Sequence, residues 1–159
     1  MNWIKKIGTV VVACAMGVAL AAPAYADPTY DFSVNGSAVA NSTTLPSVIT
    51  WTIDVASVGD DMGNGAAQEG TVTFTTPNTI SLTLSSDCTV SGHAVTCTWL
   101  VQDGVPQSFQ VVGLVSLLAL GAINVTPTIV TSSPRTDSNG ANDSATISCT
   151  AVTSLLVTC

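Results

Sequence analysis

The sequence predicts an all-β protein, a single antiparallel β-sandwich. Three observations predict it. Apolar residues alternate with polar ones at period two, as Ile49, Trp51, Ile53 and Val55 do with Thr50, Thr52 and Asp54. Turn-forming residues recur about every 8–12 residues, the spacing of strands in a sandwich. No stretch beyond the first 26 residues carries a helical period, and no repeat of solenoid length is present.

The chain opens on what reads as a secretory leader, residues 1–26. Lys5 and Lys6 form a charged start, Ile7 to Ala22 is an uncharged and mostly apolar run, and Ala24-Tyr25-Ala26 is a small-residue cleavage site before Asp27. Val11-Val12-Ala13-Cys14 has the look of a lipobox, but the apolar run continues past it. Cys14 is therefore read as part of a discarded leader. Residues 27–159 then form one domain with one core.

Tyr30 to Val39 opens on the extended run Asp31-Phe32-Ser33-Val34, followed by Asn35-Gly36. Asn35-Gly36 within it marks either a hairpin or the turn that ends the strand. Asn41 to Pro46 is a polar connection. Val48 to Ala56 is the clearest strand, with Trp51 in the core. Gly59 to Gln68 breaks the alternation and reads as a loop. Thr71 to Thr75 alternates again, with Val72 and Phe74 inward. Pro77-Asn78 turns the chain into a strand through Ile80, Leu82 and Leu84.

Asp87 to Thr98 reads as two strands folded about Ser91-Gly92-His93-Ala94. A two-residue turn at Gly92-His93 sets Cys88 opposite Cys97. Cβ atoms of directly opposed residues lie about 4.5–5.5 Å apart, and closer in non-hydrogen-bonded pairs. A disulfide needs about 3.5–4.5 Å, so a non-hydrogen-bonded pair suits it. Trp99 to Val101 continues the strand, Asp103-Gly104 turns it, and Phe109 to Val115 is the next. Ile123 to Thr131 is extended, Ser132 to Asn142 is a polar turn region, and Ser144 to Thr150 pairs with Leu155 to Thr158. Residues 104–134 carry no charge. Pro106, Gln110, Ser116, Asn124 and Pro127 interrupt the run, so buried sandwich strands explain it better than a membrane span.

Loss of the leader leaves Cys88, Cys97, Cys149 and Cys159. An even count behind a leader reads as two disulfides in an oxidising compartment. The expected pairs are Cys88–Cys97 and Cys149–Cys159, because each can close across its own hairpin. The leader also carries away both lysines. Arg135 then stands against ten Asp and Glu residues, which takes the formal charge from −7 to −9. A nucleic-acid partner is excluded, since phosphate binding needs Lys and Arg. Anionic membranes are disfavoured for the same reason.

The order of these landmarks resembles the bacterial conserved-repeat domain known as domain of unknown function 11. The likeness is carried by Asp31-Phe32-Ser33-Val34, by Val48 to Val55 ending near Gly59, and by Val72-Thr73-Phe74-Thr75-Thr76-Pro77. It continues through the hairpin from Cys88 to Thr98 and the turn from Asp137 to Ala145, and so covers about residues 31–150. Thr75-Thr76 stands where the family often has Asp, Asn142-Asp143 where it has consecutive asparagines, and the Cys149–Thr158 end is an added hairpin. The family commonly occurs as tandem modules, while this chain holds one. The resemblance implies an Ig-like sandwich and a secreted or cell-surface module with a structural or adhesive role.

Candidate chemistry is sparse. His93 is the only histidine. With Asp87 and a serine it could be drawn as a triad, but no Gly-x-Ser-x-Gly elbow accompanies it and a hairpin tip is open to water. Asp60 and Asp61 are neighbours and on an extended chain would face opposite ways, which does not suit paired-carboxylate chemistry. Calcium is the best small-ligand candidate, through Asp60, Asp61 and Asn64, with Glu69 beside them. The spacing is not that of an EF-hand, and no other cofactor is expected. The absence of a Cys-x-x-Cys pair argues against zinc. Asn35, Asn41, Asn124 and Asn142 each open an Asn-x-Ser/Thr sequon, which composition alone accounts for. The expected function is non-enzymatic. Two rivals stand beside it: a carbohydrate or small-ligand module using Tyr30, Trp99 or Phe109, and a subunit that assembles by strand addition.

Overall fold

The computed structural model describes residues 30–58, 67–84, 87–101, 105–132, 137–153 and 155–159. The leader, Cys14, the loop with Asp60, Asp61 and Asn64, the Asp103-Gly104 turn and Arg135 lie outside the described residues. Eleven strands follow in order: β1 Phe32–Asn41, β2 Val48–Ser57, β3 Gln68–Thr75, β4 Ile80–Leu84, β5 Cys88–Ser91 and β6 Ala94–Val101, then β7 Gln107–Val115, β8 Gly121–Val125, β9 Thr128–Thr131, β10 Ile147–Thr153 and β11 Leu156–Thr158. No helix occurs among the described residues.

The fold is an Ig-like antiparallel sandwich. One sheet has the order β1-β2-β7-β4 and the other β5-β6-β3-β9. The chain passes between them at β3, β4, β5 and β7, so neither sheet is built from a continuous stretch. Period-two burial follows from this. In β2, Ile49, Trp51, Ile53 and Val55 are fully buried, while the alternate residues stay half-exposed. In β7, Phe109, Val111 and Val115 point inward.

Two tryptophans anchor the core, one from each sheet, and each lies over a glycine. A Cβ on Gly113 of β7 would lie 2.6 Å from Cζ3 of Trp51, and one on Gly70 of β3 would lie 2.6 Å from Cε2 of Trp99. Trp99 also meets Phe32 across the sandwich at a centroid distance of 5.1 Å, tilted by 45°, a separation typical of packed aromatic pairs. Both indole N–H groups are buried with no partner among the described residues.

The Asp87–Thr98 hairpin has the expected register. Cys88 pairs with Cys97, Thr89 with Thr96, Val90 with Val95 and Ser91 with Ala94. Thr98 N–H donates to Asp87 C=O at 3.2 Å, which makes the next pair, Cys88 and Cys97, a non-hydrogen-bonded one. Their Cα atoms are 4.0 Å apart and the disulfide is formed. Both cysteines face the core rather than the surface. Gly92 has φ +63°, the sign that primed hairpin turns require.

A third sheet, β11-β10-β8, stands beside β1. Its hairpin is closed by the Cys149–Cys159 disulfide, with Cα atoms 4.1 Å apart. Ser42 Oγ fastens the hairpin to the β1–β2 connection, accepting from Val157 N–H at 3.1 Å and donating to Val157 C=O at 3.2 Å. The Leu45–Pro46 peptide in that connection is cis.

One expectation is overturned here. Asn35-Gly36 neither turns the chain nor ends the strand. β1 runs straight through it, with Gly36 opposite Ile53. The glycine serves a close approach: a Cβ there would lie 3.1 Å from Cγ1 of Ile147 and nearer still to its Cδ1. The same dipeptide that favours a primed turn also lets a neighbouring element pack onto a strand.

Candidate interaction surface

Among the described residues, those singled out by sequence chemistry do not converge. His93 sits at the tip of the disulfide hairpin, half-buried rather than exposed, with Nδ1 enclosed and unpartnered among the described residues. Its carbonyl accepts Thr76 N–H at 2.9 Å, so it ties the hairpin to the end of β3. Asp87 lies at the other end of that hairpin. Glu69 is exposed on β3, and its carbonyl accepts from Ser132 Oγ at 2.7 Å. Among the described residues, no three His, Cys, Asp or Glu side chains are grouped to hold a metal ion.

Three carboxylates do gather at the β1 end of the sandwich, and sequence reasoning passed over them. Asp137 Oδ2 accepts Phe32 N–H at 2.9 Å, and its Oδ1 accepts Asn139 N–H at 2.9 Å. Asp31 Oδ1 accepts from Asn142 Nδ2 at 2.8 Å. Asn142 C=O accepts Val34 N–H at 3.0 Å, and Asp143 C=O accepts Ile129 N–H at 2.9 Å. The segment therefore caps the start of β1, at Phe32 and Val34, and the outer edge of β9 at Ile129. Burial pushes the Asp143 carboxyl above the usual carboxylate range, and the neighbouring charges of Asp137 and Asp31 add to this.

The aromatics expected to serve a ligand platform are not available. Tyr30, Trp99 and Phe109 are all buried, as are Phe32, Trp51 and Phe74. The parity of their strands places them inside.

The distinctive surface is apolar. An open groove of about 610 Å³ lies where three connections meet, lined by Leu45, Pro46, Leu114, Leu117 and Leu155. Val115 and the serines Ser81 and Ser116 complete the lining, with no charged residue among them. Leu45 is 74% exposed, Leu117 67%, Leu155 50% and Leu114 40%. This corrects the reading of the uncharged run as buried strands. Its inward residues are buried, but Leu114, Leu117, Leu118, Leu120 and Val130 face solvent. No helix among the described residues is long and apolar enough to cross a membrane.

Each connection is held by its own hydrogen bonds. In the β7–β8 connection, Ser116 C=O accepts Ala119 N–H at 3.0 Å and Ser116 Oγ accepts Leu118 N–H at 3.3 Å. Ala119 is buried and anchors the turn, which leaves Leu117 and Leu118 outside. In the β1–β2 connection, Asn41 Oδ1 accepts Thr43 N–H at 3.0 Å and Thr44 Oγ1 donates to Pro46 C=O at 3.1 Å. In the β10–β11 turn, Thr153 Oγ1 accepts Leu155 N–H at 3.2 Å. The exposed leucines are thus presented by ordered turns rather than by loose chain.

Most sheet edges are short, and the long β1 edge is capped at its start. β9 and the first residues of β1 are capped as described, and β4, β8, β5 and β11 have five, five, four and three residues. Short or covered edges limit strand pairing with another chain.

No protein-family model matches the chain, and no curated protein matches it. The likeness to the conserved-repeat domain therefore rests on its ordered landmarks alone. Among solved structures, the chain is similar to an Actinomyces fimbrial adhesin, FimA, with 16% identity and a TM-score of 0.44. The match covers 74% of this chain and 56% of that one, so this chain spans little more than half its length. It is also similar to the collagen-binding domain of a Staphylococcus aureus adhesin, with 10% identity and a TM-score of 0.41 over 77% of this chain and 98% of that one.

Proposed function

We propose that this protein is an exported, non-enzymatic module of the bacterial surface or its surroundings that acts by holding a protein partner in the leucine groove. The groove carries the reading. A chain of formal charge −7 with 8% charged residues leaves four leucines from three segments in water around one uncharged depression. Contiguous apolar surface of this kind marks interaction sites on soluble proteins. Each leucine that a partner takes fully out of water contributes roughly 1.5–3 kcal/mol before the costs of association.

Other features support the same reading. Two disulfides suit a domain exposed to an oxidising exterior. The hydrogen-bonded turns fix the leucines in advance, which lowers the ordering cost on binding. A polysaccharide partner is disfavoured, since the described aromatics are inside and offer no stacking platform. Strand addition is disfavoured at the short edges and at the capped start of β1.

Photocrosslinking on the producing cell tests the proposal. A benzophenone amino acid replaces Leu117 in one variant and Thr73, on the opposite sheet, in another. A discrete protein adduct from position 117 and none from 73 is the expected result. Equal labelling at both positions, or adducts only from position 73, overturns it.

A further inference from the structure

We draw no further inference here: the strongest candidate outside the groove, the outer face of the β5-β6-β3-β9 sheet where Thr89, Thr96, Thr73 and Thr128 form one cross-strand row, is an unpartnered sheet face and nothing in the structure shows what covers it.

Discussion

Ile147 of β10 packs into the space left by the missing side chain of Gly36 on β1. This contact joins the third sheet to the sandwich. Gly36→Ala therefore destabilises the protein by about 1–3 kcal/mol, the usual cost of forcing an extra methyl into a packed site. Ile147→Val removes the atom nearest to Gly36 and alone costs about 0.5–1.5 kcal/mol. The double variant should lose clearly less than the sum of the two. Urea unfolding of the four proteins measures this. Simple additivity would mean that the two residues are not coupled.

Each disulfide closes a loop of about ten residues, for which chain entropy gives roughly 2.7 kcal/mol. Replacing Cys88 and Cys97 together by alanine, or Cys149 and Cys159 together, should lower stability by that order. The Cys88–Cys97 pair faces the core, so its loss adds a packing defect and should be the costlier. Cys149 is buried but Cys159 is exposed, so the second replacement leaves the smaller defect and should lie nearer the entropic value. Equal losses from both pairs would show that burial adds nothing.

Asp143 gives a pH dependence of defined sign. Its folded carboxyl is raised above the ordinary value, by burial first and then by Asp137 and Asp31. The folded chain thus binds the proton more tightly than the unfolded chain. Stability falls as pH rises from about 3.9, the unfolded value, through the raised folded value, and then levels off. Asp143→Asn removes this loss and should raise the melting temperature at pH 7 by a small amount, under about 1 kcal/mol near solvent. Melts from pH 3 to 8 test it. A variant less stable than the wild type at pH 7 would contradict the sign.

The sequence revealed the sandwich because period two leaves few alternatives where threonine separates valine, isoleucine and tryptophan. It revealed the Cys88–Cys97 disulfide because a two-residue turn fixes which residues face each other, and Cys149–Cys159 because that pair can close across its own hairpin. Gly36 was misread because Asn-Gly has the same letters in a turn and under a packed isoleucine. Trp99 could have been placed inside: it shares strand parity with Cys97, whose inward direction the core sets. The groove was harder to see. An uncharged run reads alike whether its leucines are buried in strands or carried on turns, and only burial of Ala119 separates the two. Leu114 held one clue, since it falls on the outward parity of β7. Asp31 is far in the chain from Asp137 and Asp143, and only the fold brings it to them.

The groove variant Leu45→Asp/Leu117→Asp is the most direct test. Both residues are exposed, so the unfolding free energy should stay within about 0.5 kcal/mol per substitution, as expected of surface changes. Retention of the purified protein on washed envelopes of the producing cell is then measured against the wild type. The account predicts at least a tenfold loss of retention with folding intact. Undiminished retention by a correctly folded double variant would contradict it.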